Sequence, residues 1–258
     1  MAKAIKLDHF VTSGRKSRLN PTFLTFPSTR GILHLRDGSR PDQGQYSPRI
    51  ATVMMLMPEI IRLPAPVHTQ VLSLETVLHA RRSSRSFAPN LLPLSALANI
   101  LWAGYGITSI DGRRTIPSAG GLYPLYLHAA CANVSNVPAG IYRYQPNGHR
   151  LVRTAGGNRL VDIGWAAMGQ DWMSSAAAIV VVAADPSITT AKYGDRGLQF
   201  VAFEAGAAAQ NICLQAAALS LGVAVVGAFD DDQIASIYEV TGQQQPIALL
   251  PLGISSEP

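Results

Sequence analysis

Phe200 to Gly222 reads FVAFEAGAAAQNICLQAAALSLG, and this stretch decides the fold. Alanine, glycine and large apolar residues fall on several faces, interrupted only by Glu204, Gln210, Asn211 and Gln215 until Ser220. A helix that is apolar nearly all round belongs in a core, and its small residues let another backbone come close. The pattern predicts one long helix from about Thr189 to Leu221, buried either inside one subunit or in a core shared between two.

Working outward, Val223 to Ala228 (VAVVGA) reads as a buried strand, the acidic run at Asp230 opens a helix over DDDQIASIYEV, and PIALLPLG gives a last strand. Upstream, SAAAIVVVAA is a buried strand and NRLVDIGWAAMGQ is helical. YPLYLHAACA is a strand, and AGIYRYQP and HRLVRTA form a hairpin across Pro146, Asn147 and Gly148. LSALANILWAGYG is a helix opened by Leu94 and Ser95 and closed by Gly104, and Ser73 caps a shorter helix, LETVLHARR. Helices and strands alternate irregularly, without a fixed repeat, so the class is α+β with an apolar ATVMMLM strand or extended segment near residue 51.

The chain has 258 residues, 48% hydrophobic and only 14% charged, a charged share well below the usual quarter or so. A large face is therefore expected to be buried against a partner chain. The net charge of +5 is uneven: residues 1–50 hold nine Lys or Arg and three Asp, while the remainder holds twelve basic and thirteen acidic residues. The basic character belongs to a proline- and turn-rich N-terminal arm (1–50) placed ahead of a body (51–258), and the body has no basic stripe for nucleic acid. The arm suits an acidic partner protein.

Cys131 and Cys213 lie in apolar surroundings without metal or redox spacing and read as free buried thiols of a reducing compartment. The opening residues lack a secretory apolar core, and no 18-residue stretch escapes polar interruption, which points to a soluble cytoplasmic protein with no membrane span. Dinucleotide, P-loop, zinc-hydrolase and nucleophile-elbow motifs are all missing, and the scattered histidines, His79 and His128 among them, carry no metal-ligand spacing.

Four short segments could carry chemistry. RRSSRSF groups Arg81, Arg82, Ser83 and Arg85 at a helix end, a donor set suited to phosphate that by itself also reads as a solvated charged face. IPSAGGLYP, with Pro117, Ser118, Ala119, Gly120, Gly121 and Leu122, leaves a side-chain-poor backbone able to approach a flat ring, or else is a plain turn. AKYGDRG holds Lys192, alone among the four lysines in lying beyond residue 16, next to Tyr193. An ammonium beside a phenol favours the phenolate, which makes this pair a candidate general base. VAVVGAFDDD ends a strand at Gly227 and Ala228, exposing backbone amides, or is a simple strand-to-helix turn.

In this order and spacing, with EAGAAAQNICLQAAALSLG and PIALLPLG, the segments resemble the nitroreductase superfamily and, more narrowly, its SagB-type dehydrogenases, over about residues 70–254. The resemblance implies a mostly antiparallel central sheet flanked by helices, in an intertwined homodimer with FMN at each subunit interface. It implies that Arg81, Ser83 and Arg85 hold the FMN phosphate and ribityl chain, with Arg82 acting through its backbone. Residues Pro117 to Leu122 would line the isoalloxazine, Ser118 to Leu122 coming from the partner subunit, and Gly227 and Ala228 would face its N5 and O4 edge.

It further implies that Lys192 and Tyr193 serve oxidation of a thiazoline or oxazoline, on a peptide or carrier, to the aromatic azole in natural-product biosynthesis. Related flavoproteins are NAD(P)H-dependent nitro or quinone reductases, and a non-catalytic subunit of a biosynthetic complex is a third reading. One departure is that ISSEP follows Gly253 where many nitroreductases place basic residues, leaving the phosphate to Arg81 and Arg85.

Overall fold

A computed structural model describes residues 59–67, 72–240 and 242–256 of the chain. The basic arm (1–50) and the ATVMMLM segment (51–57) lie outside the described residues.

Among the described residues seven strands form one sheet: β1 (Ile60–Arg62), β2 (Leu125–Cys131), β3 (Gly140–Gln145), β4 (Arg150–Gly156), β5 (Ala178–Ala184), β6 (Gly222–Val223) and β7 (Gln245–Gly253). Their order is β1-β4-β3-β2-β5-β7-β6, and every pairing is antiparallel. The helices are α1 (Leu74–Ala80), α2 (Leu94–Tyr105), α3 (Leu160–Ala166), α4 (Pro186–Tyr193), α5 (Arg196–Ala218) and α6 (Asp231–Ile237). The α+β class with an antiparallel sheet and flanking helices is as expected.

β5, AIVVVAA, is buried at every position because it lies between β2 and β7 with helices over both faces. Side chains alternate across β2, so Leu125, Leu127, Ala129 and Cys131 join the core beneath α2 and α5. Ala130 joins the second core, beneath α3 and α6. The sheet thus separates two helical layers, and both cysteines are free and buried in the first.

Ser73 caps α1, its hydroxyl accepting from Thr76 N–H at 3.2 Å, and Asp230 caps α6 by accepting from Gln233 N–H at 2.9 Å. α2 runs past Gly104 to Tyr105, and Gly104 serves packing: a Cβ there would lie 2.9 Å from the Ile212 side chain of α5. α3 is shorter than its pattern suggests, for the chain leaves the helix through positive φ at Met168 and Gly169.

Two expectations are corrected. The helix predicted from Thr189 to Leu221 is two helices, because Gly194 takes φ 57°, ψ −150°, a conformation that breaks α4 from α5. α4 begins earlier than predicted, at Pro186 behind the Asp185 cap. The strand predicted over Val223–Ala228 pairs with β7 only at Gly222 and Val223, with one further bridge from Val226 to Leu249. Opposite Ala224 stands Pro251, whose carbonyl accepts from Ala224 N–H at 3.3 Å but which has no N–H to return the bond.

Candidate functional site

The segment after α1 is held by pairing rather than by a helix or strand of its own. Ser84 N–H donates to Val223 O (3.0 Å), Ala88 N–H to Ile254 O (2.9 Å), and Ser256 N–H to Ser86 O (3.1 Å). These bonds stretch residues 84–88 between β6 and the chain that follows β7. Hydroxyls add to the seam: buried Ser84 bonds Ser255 (3.1 Å), and Ser86 bonds Ser256. A Cβ at Gly222 would come within 2.8 Å of Ser84 Oγ, so this approach requires glycine.

On this seam stand the predicted phosphate-binding residues. Arg82 turns back on its own helix end and donates to the carbonyls of His79 and Arg81 at 2.8 Å each. The Arg85 guanidinium lies 6.0 Å from the Trp172 ring, and Ser83 is exposed. Arg81 reaches the field of Cys213 on α5: burial pushes that thiol up, and the guanidinium opposes the shift. Ser255 and Ser256, which the sequence reading passed over, add hydroxyls where relatives are expected to carry basic side chains. Guanidinium groups and hydroxyls gathered on one exposed turn suit a phosphate.

The second group lies around Gly120. Ala119–Gly121 forms a single 3-10 turn with φ of 61° at Gly120 and 66° at Gly121, and the Ser118 hydroxyl accepts from Tyr123 N–H at 2.8 Å. A carboxyl from α5 fixes the turn from beneath. Glu204 is only 4% exposed, and its Oε1 accepts from Ala119 N–H at 2.8 Å. Burial raises the Glu204 carboxyl, with the Ala119 N–H and the Ser118 hydroxyl acting against the shift.

Lys192 and Tyr193 meet this turn from above. A Cβ at Gly120 would lie 2.7 Å from Lys192 Nζ and 2.7 Å from Tyr193 OH, so both polar ends converge on one glycine. The Lys192 ammonium is 5.3 Å from the centre of the Tyr193 ring, whose other neighbour is Phe200, edge-on at 5.2 Å. The pair sits on the last turn of α4, which is pressed onto α5 at Gly197, where a Cβ would come within 2.8 Å of Thr190 N.

Gly227 and Ala228 are exposed, and the space around a Gly227 Cβ is open. Gln170 donates to Ala228 O at 3.4 Å. The structure therefore brings Lys192, Tyr193, Ser118, Ala119 and Gly120 together, and separately gathers Arg81 to Arg85 with β6. Glu204 and Cys213, which mark the two groups on α5, are nine residues apart, or about 13 Å along the helix. Taken separately, the side-chain-free backbone at Gly120 and Gly121 suits the face of a flat ring, and the arginine turn suits a phosphate. Among the described residues no His, Cys, Asp and Glu cluster could hold a metal, and no helix is long and apolar enough to cross a membrane.

Residues 78–254 match the model of the Nitroreductase family. A protein of Methanocaldococcus jannaschii assigned as a nitroreductase is 38% identical over 182 residues, covering 70% of this chain and 91% of its own. A solved structure from Ralstonia eutropha, assigned likewise, superposes with a TM-score of 0.68 at 29% identity, over 77% of this chain and 90% of that one. The E. coli microcin synthetase McbBCD complex with truncated pro-MccB17 shares the fold, with a TM-score of 0.58 at 22% identity over 76% of this chain and 77% of that one. The motif order, the antiparallel sheet and a family match over most of the body have one meaning: this chain belongs to the nitroreductase family of oxidoreductases.

Proposed function

We propose that the protein is an FMN-dependent dehydrogenase that oxidises a thiazoline- or oxazoline-type ring, borne on a peptide or carrier, to the aromatic azole, and that it works as a homodimer. The observation that carries this reading is the convergence of Lys192 Nζ and Tyr193 OH on Gly120. A reductase that draws electrons from NAD(P)H has no need of a base facing its ring-binding turn. A dehydrogenase that aromatises a ring must remove a proton as well as a hydride.

In this reading Arg81, Ser83 and Arg85 hold the phosphate end of FMN, Arg82 contributes its backbone, and Gly227 and Ala228 offer amides to the ring. Pro117 to Leu122 line the ring, Ser118 to Leu122 from the partner subunit. Bound FMN supplies the acceptor for the hydride that the substrate ring gives up. The Tyr193 oxygen takes the proton α to the azoline carbonyl, with Lys192 Nζ directed to the same glycine beside it. Glu204 and Ser118 hold the turn so that the glycine leaves room for both side-chain ends.

The M. jannaschii relative favours a second reading, an NAD(P)H-dependent nitro or quinone reductase. The first reading is in keeping with the occurrence of this fold in the microcin synthetase McbBCD complex, which holds a truncated pro-MccB17. Anaerobic mixing distinguishes them. A yellow protein bleached by a thiazoline-bearing peptide and not by NADPH is the expected result; bleaching by NADPH alone overturns the reading. Tyr193→Phe should slow substrate-driven bleaching by about 100-fold or more with FMN content unchanged, within the usual range for loss of a general base. Lys192→Ala should slow it in the same direction, and Arg81→Ala should instead lose FMN.

A further inference from the structure

On the side of the sheet away from α5, the layer formed by α3 and α6 exposes apolar surface that the candidate site does not use. Val161 and Trp165, four residues apart in α3, are 56% and 68% exposed, and Met168 in the exit turn is 65% exposed. Beside them lies an open depression of about 550 Å3, lined by Asp162, Trp165, Asp232, Gln233, Ser236 and Ile237. Large exposed apolar groups brought together with a concave floor mark interaction surfaces, and tryptophan and methionine are enriched in such surfaces.

The two helical segments of this face carry charge of one sign, with Arg159 at their border. From Leu160 to Asp171 and from Asp230 to Val240 the chain holds six carboxylates and no Lys or Arg, although the protein as a whole carries +5. Asp162 is bridged by Arg159 from just outside the first segment, at 2.6 Å. Asp231 and Asp232 stand on the first turn of α6, and Asp232 lines the depression. Such a rim repels nucleic acid and anionic lipid and attracts lysine and arginine.

The face also borders the candidate site. Asp230 N–H donates to Ala166 O at 2.8 Å, and Gln170 spans from Ala167 O (2.9 Å) to Ala228 O (3.4 Å). These bonds tie the end of α3 to the segment that carries Ala228.

We propose that the α3–α6 face is a docking surface for a basic peptide segment with an apolar anchor, which seats on Trp165 and Ile237 while its cations meet Asp162, Asp231 and Asp232. This deepens the proposed function by placing delivery of a peptide-borne substrate on the outer layer, and in that respect it rests on that reading. Its test, however, is binding without turnover, so docking and dehydrogenation fail separately.

The probes are a short lysine–leucine peptide and its glutamate–leucine counterpart, titrated against the whole protein while tryptophan emission is followed. The lysine peptide should blue-shift the emission saturably, with an affinity that falls as salt rises, and Trp165→Phe should abolish most of the shift. The double variant Asp231→Asn, Asp232→Asn should weaken binding by about tenfold. No saturable shift, or an equal shift with the glutamate peptide, overturns the proposal. So does a change of oligomeric state in Trp165→Asp on sedimentation, which would mean that a second copy covers this face.

Discussion

Gly120 shows how little room the candidate site leaves at the level of single residues. Its φ of 61° lies where an L side chain costs about 1–2 kcal/mol, and its missing Cβ is the space into which Lys192 Nζ and Tyr193 OH project. Gly120→Ala should therefore displace both groups at once. Under the proposed function, substrate-driven flavin reduction should fall by at least about tenfold, corresponding to roughly 1.4 kcal/mol, while melting shifts by only a few degrees. A variant that keeps full activity would show that the convergence is incidental. Glu204 acts one bond away. Glu204→Ala leaves the Ala119 N–H without its acceptor and should cost about 1–3 kcal/mol of stability in urea unfolding, whereas Glu204→Gln keeps an acceptor and should recover most of that. The arginine turn, the glycine turn and the Lys-Tyr pair are legible in the sequence because each is a local run. Glu204 beneath Ala119 is not, for the two are 85 residues apart and nothing near either one announces the other. The same holds for Ser84 with Ser255, 171 residues apart, and for Ser86 with Ser256.

At the scale of elements, the break between α4 and α5 governs where the Lys-Tyr pair stands. Composition alone runs a helix from Thr189 through Leu221, since Ala, Leu and Gln all sustain one. Two glycines decide otherwise. Gly194 turns the chain, and Gly197 lets α5 start with its backbone against Thr189 and Thr190, at distances a Cβ could not share. Gly197→Ala should raise helix propensity by about 1 kcal/mol yet lose about 1–3 kcal/mol to the forced separation of α4 from α5. A lower melting temperature together with weakened substrate-driven reduction is expected, because Lys192 and Tyr193 ride on the last turn of α4. A rise in melting temperature would mean that α4 yields freely and does not fix the pair. The strand predicted over Val223–Ala228 is cut short for a reason that also lies in a partner: Pro251, on β7, withholds the N–H that Ala224 would need. Apolar runs identify strands, but how far each run pairs depends on the strand beside it.

At the scale of the whole molecule, the sheet's two faces are filled differently, and the difference sets how stability responds to acid. His128 is on β2, yet its ring lies in the α3–α6 layer, edge-on to Tyr238 at 6.5 Å, with Arg143 near enough to oppose a second positive charge. Burial is the chief cause that depresses its pKa from 6.5 to about 4; Arg143 adds to this and Gln244 opposes it. The unfolded chain therefore takes up a proton near pH 6.5 that the folded chain refuses until about pH 4. Stability is whole above pH 6.5, declines as pH falls through that window, and by pH 4 this one group has removed up to about 3 kcal/mol. Glu204 bends the curve the other way: its carboxyl is raised, so the folded state binds a proton before the unfolded state does, and acid relieves part of the cost of burying it. Urea midpoints measured from pH 7 to pH 4.5 should fall in the wild-type chain. His128→Gln should flatten that slope even where it lowers the midpoint at pH 7, and Glu204→Gln should steepen it. An unchanged slope in His128→Gln would mean that the imidazole is solvated or charged in the folded protein, and that the layer under α3 and α6 is looser than its packing around Tyr238 implies.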